Sequence, residues 1–360
     1  MKHRLLSLLL ALPLSVSCVK TTGGALTVEK IDFAGFEERP FSEYLSEHVA
    51  DVSALGVDTS RQYRLGQIDR ALFTDSEILL RDIRMQKIVA VSRTDGRGLA
   101  SVGSLGRANN EYLQVSGFDR DASGKIWILD ARSKKVLEYD GATYAFLGSH
   151  PLEKITPVDI KCLGDGRFMF FRYPDGNDWQ FQLQVYSDGF VQKDGAVPGL
   201  KSFDPAGILS SCSFNPADEL SFYSSNVFID DRVTLLDGNG GIVKQFAFDF
   251  GKYRFPDDLR ASISSHPEEL ARYRCACAPV FITKGKAGGK LFDRTALSFF
   301  LADREKEILY LPDDAYGQMT LIYCDNDMMA FFLPSGMDVP QLRAFCPDLD
   351  HTDYVLMLRL

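Results

Sequence analysis

Alternating apolar and polar positions recur along most of the chain, and each short run stops at a turn signal. Trp179-Gln-Phe-Gln-Leu-Gln-Val185 is the clearest case, with Trp179, Phe181, Leu183 and Val185 on one face and three glutamines on the other. Pro174-Asp-Gly-Asn177 separates it from Phe168-Met-Phe-Phe-Arg-Tyr173, so the two runs predict a hairpin with one buried face. Asp-Gly itself occurs seven times, at 95, 140, 165, 175, 188, 194 and 237. This dipeptide supplies the positive φ values that tight hairpins demand, and many short antiparallel strands follow from it.

The strands repeat. Those containing residues 88, 136, 185, 233, 308 and 355 are separated by steps of 48, 49, 48, 75 and 47. Each is preceded by another apolar strand: Ile78–Asp82, Ile126–Asp130, Phe168–Arg172, Leu220–Tyr223, Leu297–Leu301 and Met328–Leu333. Four strands in about 48 residues is the period of a propeller blade, so the pattern predicts an all-β, six-bladed β-propeller with four-stranded blades. The step of 75 predicts an insertion over 251–277 between blades 4 and 5. Ser265-His-Pro-Glu268 opens that insertion's Glu268–Arg274 stretch like a capping box, which makes it a short helix and His266 a helix-start residue. The last unit ends one strand short at Leu360. An open edge would leave backbone groups unpaired, so an N-terminal strand must close the ring; Leu26–Phe33 and Val49–Val57 are the candidates, and the second is favoured.

The first residues carry a different signal. Lys2 and Arg4 precede the apolar run Leu5–Leu14, and Ser15-Val-Ser-Cys18 follows. This is the layout of an export signal, too short to span a bilayer, which takes roughly 20 residues. Cleavage before Cys18 with acylation of its thiol is the favoured reading, and ordinary cleavage after Ser17 the alternative. The division expected is a signal peptide over 1–17, a lipid-anchored linker over 18–40 and the propeller over 41–360. Losing Lys2 and Arg4 moves the net charge from −9 to −11, which argues against nucleic acid as a partner. The six cysteines after Cys18, at 162, 212, 275, 277, 324 and 346, permit disulfides of undetermined connectivity, although buried thiols or a single bridge are favoured. Cys275-Ala-Cys277 has no further ligand at metal spacing, so no metal or other cofactor is expected.

Gly103-Ser-Leu-Gly106-Arg107 invites comparison with a phosphate loop. Such loops join a parallel strand to a helix. Here strand-like Leu113-Gln-Val and Ile126-Trp-Ile-Leu follow, and no Gly-Lys-Ser/Thr appears, so the loop is read as the crossing from blade 1 to blade 2. Gly106-Arg-Ala-Asn-Asn-Glu-Tyr112, Phe118-Asp-Arg-Asp-Ala-Ser-Gly-Lys-Ile-Trp-Ile-Leu-Asp130 and Lys135-Val-Leu-Glu-Tyr-Asp-Gly141 resemble the signature of the six-bladed β-propeller lipoproteins of Bacteroidota, relatives of NHL-repeat propellers. Their loop usually reads Gly-Arg-Gly-Pro-Gly-Glu-Tyr, from which Ala108-Asn-Asn110 departs. Leu45–Val52 is similar to the family's lead-in and Asp353–Leu360 to its last strand. The resemblance implies a propeller fold and an envelope location, and no activity.

Reactive groups are sparse. The chain lacks Gly-x-Ser-x-Gly and His-Glu-x-x-His, and the four histidines beyond the signal, at 48, 150, 266 and 351, lie outside the expected inner strands. Asp82 and Asp130 end equivalent strands, but Arg172 holds that place in blade 3. A binding or scaffold propeller that takes a glycan, peptide or envelope partner protein at its central mouth is therefore favoured. A metal-dependent lactonase- or lyase-like enzyme and a purely structural envelope component are the alternatives. Arg107, Glu111, Asp82 and Asp130 are the candidates for the mouth or the struts beneath it, with Tyr173 and Trp179 as possible sugar platforms. The expected location is the cell envelope, held at the outer membrane by its lipid and facing the periplasm. Val19-Lys-Thr-Thr-Gly-Gly24 lacks the acidic run that resembles a surface-export signal.

Overall fold

The computed structural model describes residues 27–360 except 59, 153–156, 165, 173–180, 188–189, 191, 199–213, 226–231, 257, 260–266, 295, 315 and 336–352. Cys18, Tyr173, Trp179, Cys212, His266, Cys346 and His351 lie outside the described residues.

Six antiparallel sheets form the blades of a propeller. Blade 1 runs through Ile68–Phe73, Glu77–Asp82, Lys87–Ser92 and Gly98–Val102, and blade 2 through Gly117–Arg120, Ile126–Asp130, Lys135–Tyr139 and Phe146–Pro151. Blade 3 comprises Pro157–Cys162, Phe168–Arg172, Phe181–Tyr186 and Gln192–Pro198; blade 4 comprises Phe214–Pro216, Ser221–Ser225, Arg232–Asp237 and Ile242–Asp249. Blade 5 holds Arg274–Ile282, Lys286–Asp293, Ala296–Asp303 and Ile308–Leu311. Blade 6 takes Thr320–Cys324, Met328–Leu333 and Asp353–Arg359 from the end of the chain, and its fourth strand is Val52–Val57, antiparallel to Asp353–Arg359 with Val57 opposite Asp353. The favoured N-terminal segment thus closes the ring. The first strand of every blade is innermost, and the apolar faces of neighbouring blades pack together, as Leu79, Ile88 and Val102 of blade 1 do with Phe118, Ile126 and Leu137 of blade 2.

The segment before the closing strand corrects the linker expectation. Val28–Asp32 joins blade 4 as a fifth strand, parallel to Ile242–Asp249, and Glu37–Pro40 joins blade 5 parallel to Ile308–Leu311. A helix, Phe41–Glu47, buries Phe41, Tyr44 and Leu45, the spacing of one helical face. Phe41 meets Phe299 of blade 5 at 4.9 Å and Phe331 of blade 6 at 5.8 Å between ring centroids. Residues 28–57 therefore form a strap along the rims of blades 4, 5 and 6. Ion pairs fasten it, Lys30 to Asp249 at 2.7 Å and Arg274 to Glu38 at 2.6 Å among them.

The insertion between blades 4 and 5 is helical as expected, with 3-10 turns at Gly251–Tyr253 and Pro267–Arg272. It ends earlier than 277, because the inner strand of blade 5 begins at Arg274. Cys275 and Cys277 lie buried in that strand, and Cys324 is buried in the inner strand of blade 6.

Candidate functional site

Innermost strands carry apolar residues outward into the blades and leave their other side chains facing the axis. One cavity of about 300 Å³ opens where all six converge. Blade 1 supplies Arg70 to Thr74, blade 2 Asp119 to Asp121, blade 3 Lys161, blade 4 Phe214 to Pro216, blade 5 Pro279 and blade 6 Ile322 and Tyr323. Its wall is divided. Leu72, Phe73, Pro216, Pro279 and Ile322 form an apolar side, and blades 2 and 3 form a charged one.

The floor is built from bonds that span the ring. Arg70 of blade 1 pairs with Asp159 of blade 3 at 2.7 Å, both side chains being buried. Asn215 of blade 4 donates to the carbonyls of Val280 in blade 5, at 2.7 Å, and Cys324 in blade 6, at 3.1 Å, and accepts the Val280 N–H at 3.1 Å. Deeper, Lys290 of blade 5 donates to the Asp69 carbonyl of blade 1 at 2.8 Å, while Arg81 grips the Asp69 carboxylate at 2.7 and 2.9 Å. Blades 1 and 3, 4 and 6, and 5 and 1 are not neighbours, so these contacts cross the axis beneath the mouth. Gly117 is part of this fit, since a Cβ there would lie 2.3 Å from Asp159 Oδ1.

On the charged side, Asp119 is buried and its Oδ2 accepts Lys161 Nζ at 2.8 Å and the Cys162 N–H at 2.7 Å. Arg120 and the Tyr144 hydroxyl both donate to Glu77, and burial together with that carboxylate raises the Tyr144 phenol. Burial pushes the Asp121 carboxyl up, but hydrogen bonds from Ser123, Trp127 and Lys125 outweigh it and hold the group below its ordinary value. Tyr323 donates to Asp325 at 2.6 Å, and burial and that charge keep its phenol protonated. Among the described residues, no three His, Cys, Asp or Glu side chains come together in metal-ligating geometry.

The four residues singled out from the sequence line none of this cavity. Asp82 and Asp130 sit at the other end of their strands: Asp82 is opposite Ile68, whereas the cavity begins at Arg70 and ends at Thr74. Both are fully buried caps. Asp82 accepts the N–H groups of Gly66, Gln67, Arg84 and Met85, and Asp130 those of Leu113 and Ser133, so each ties the loop entering its blade to the following turn. Glu111 folds onto its own loop, accepting the Ala108 N–H at 2.8 Å, and Arg107 is exposed. They do not meet as an ion pair between blades. The loop is a corner, with Gly103 at φ +70° packed under Tyr139 and Tyr112 and a two-residue parallel ladder of Ser104–Leu105 with Glu111–Tyr112. The residues that do build the mouth, Arg70, Asp119, Lys161 and Asn215, each stand alone in a different blade. Their sequence signal is a charge or amide inside an apolar strand, as in Phe118-Asp-Arg-Asp121 and Val158-Asp-Ile-Lys-Cys162.

Comparison with known proteins agrees with this architecture. The chain aligns over 93 % of its length with a "Putative exported protein" from Bacteroides fragilis, covering 99 % of that chain at 15 % identity and a TM-score of 0.71. It also aligns with a member of the DUF4221 family from Bacteroides vulgatus, at 10 % identity and a TM-score of 0.54, over 86 % of this chain and 96 % of the other. No curated protein matches in sequence. At these identities the structural likeness is one of fold. The family model for DUF5128, a six-bladed beta-propeller, matches residues 29–258, from the first rim strand into the insertion that follows blade 4, and the chain belongs to that family.

Proposed function

We propose that this propeller is an exported binding protein that holds its ligand in the central mouth without transforming it. The observation that carries this reading is the cavity at the axis to which all six inner strands contribute, with an apolar side and a charged one. Rigid scaffolds that converge several loops and strand ends on one small concavity are how propellers and barrels place a few polar groups around a ligand. The charged side chains there are each held by an ion pair or by hydrogen bonds, Asp119 with Lys161, Arg70 with Asp159, Arg120 with Glu77 and Asp121 by Ser123 and Trp127, which suits recognition better than proton transfer. At about 300 Å³ the cavity stands at the small end of ligand clefts, which run from roughly 300 to 1,000 Å³, and it suits one chemical group of a larger molecule.

Export follows from the signal over residues 1–17, and the Bacteroides fragilis neighbour carries a matching description. In this reading Cys18 is the acylated N-terminus of an NHL-like propeller lipoprotein, held at the outer membrane and facing the periplasm. The test is a screen of the purified mature protein against oligosaccharides, peptides, lactones and divalent ions, following thermal shift and product formation together. A shift without product supports binding. Turnover, or a shift unchanged when Ile322→Lys fills the mouth, refutes it.

A further inference from the structure

We propose that the mouth takes an extended peptide segment, one aliphatic side chain lying on the apolar wall and the main chain of one residue on Lys161 and Asp119. This rests on the mouth being the binding site and names the class of ligand that fits it. The Lys161 ammonium has three N–H donors, and one of them is used, on Asp119 Oδ2. Both N–H hydrogen bonds to Asp119 fall on Oδ2, and the Cys162 thiol also shares this carboxylate; among the described residues no N–H or O–H donor reaches Oδ1. The cavity thus presents an ammonium with unused N–H groups beside a carboxylate oxygen that no N–H or O–H donor occupies.

In an extended chain the N–H and C=O of a single residue lie on the same edge, which is how a strand pairs with its neighbour. Such a residue would accept from Lys161 and donate to Asp119 Oδ1. The facing wall of Leu72, Pro216, Pro279 and Ile322 is aliphatic and suits a side chain such as leucine or isoleucine. A sugar would need an open aromatic face. Of the three aromatic rings among the described lining residues, Phe214 is fully buried, Tyr323 is 8 % exposed, and Phe73 is engaged by Tyr323 at 4.7 Å and by the Arg93 guanidinium at 5.6 Å.

The test probes the purified mature protein with an array of unstructured peptides and, in parallel, a glycan array, followed by solution titration of the peptides that bind. Lys161→Met keeps a side chain of similar length and removes the donor, together with the ammonium that lies 5.7 Å from the Phe222 ring centroid; Arg107→Ala, outside the cavity, is the control, and melting curves confirm that both variants fold. The expected result is binding of peptides with aliphatic residues, weakened about tenfold or more in Lys161→Met, as loss of a hydrogen bond from a charged group implies, and unchanged in Arg107→Ala. Glycan binding that Lys161→Met weakens, without peptide binding, would overturn the peptide assignment and leave the mouth standing as the site. Peptide binding indifferent to Lys161→Met, or no peptide binding at all, would also overturn it.

Discussion

Shortening the strap in steps perturbs ring closure in a way whose size can be worked out. Residues 28–57 bury seven apolar side chains, Ile31, Phe33, Phe41, Tyr44, Leu45, Leu55 and Val57, none more than 9 % exposed. At roughly 1.5–3 kcal/mol per fully buried side chain this burial is worth on the order of 10–20 kcal/mol, an upper estimate because the unfolded chain already buries part of it. Domains have a total stability of only about 5–15 kcal/mol. Deleting residues 19–57 should therefore abolish the cooperative fold, with the edge of Asp353–Arg359 left open to aggregation. Deleting residues 19–34 removes Ile31 and Phe33 and the fifth strand of blade 4 while sparing the closing strand, so a loss of about 3–6 kcal/mol is expected from a ring that still folds. Urea unfolding followed by tryptophan fluorescence reads both, since Trp127 lies buried in blade 2, far from the cut. A peptide of residues 28–57 added in trans should restore solubility to the longer deletion. If the 19–57 deletion melts and dissolves like the intact protein, the closure argument is wrong.

Three further outcomes follow. Asp82→Ala should cost about 1–3 kcal/mol, because it leaves four backbone N–H groups without their acceptor, yet leave ligand binding intact; urea titration beside binding separates the two effects. Asp159→Ala should cost about 3–5 kcal/mol by removing the buried partner of Arg70, while the apolar pair Arg70→Met with Asp159→Leu should recover part of that loss in the same assay, the Ile160 and Phe214 N–H groups still lacking their acceptor. Burial raises the phenols of Tyr139, Tyr223 and Tyr316 to about 12. Their contribution is complete below the unfolded-state value of about 10 and lost as pH rises through the folded value, so stability should fall between about pH 10 and pH 12, and Tyr139→Phe should flatten that fall.

The blades were legible because hairpin chemistry is local. Asp-Gly turns and one-faced alternation fix neighbouring strands within about ten residues of each other, and the missing fourth strand of blade 6 could be deduced from the cost of an open edge. Val28–Asp32 and Glu37–Pro40 were not legible as rim strands, because they pair in parallel with strands more than 200 residues away and have no hairpin of their own. Asp82 and Asp130 were conspicuous for the same local reason, ending equivalent strands, but strand direction puts that end away from the mouth. Arg70, Asp119, Lys161 and Asn215 meet only when six separate strands close into a ring, and a single charge in a strand carries no information about which charge it will face.

Hydrogen–deuterium exchange of the protein with and without a peptide selected from the array locates the bound ligand directly. Protection concentrated at residues 70–74, 119–121, 161–162, 214–216 and 322–323 is the predicted result. Protection instead at residues 66–67, 84–85, 113 and 131–133, at the opposite end of the channel, or along the strap on the rim, would contradict a binding site in the mouth.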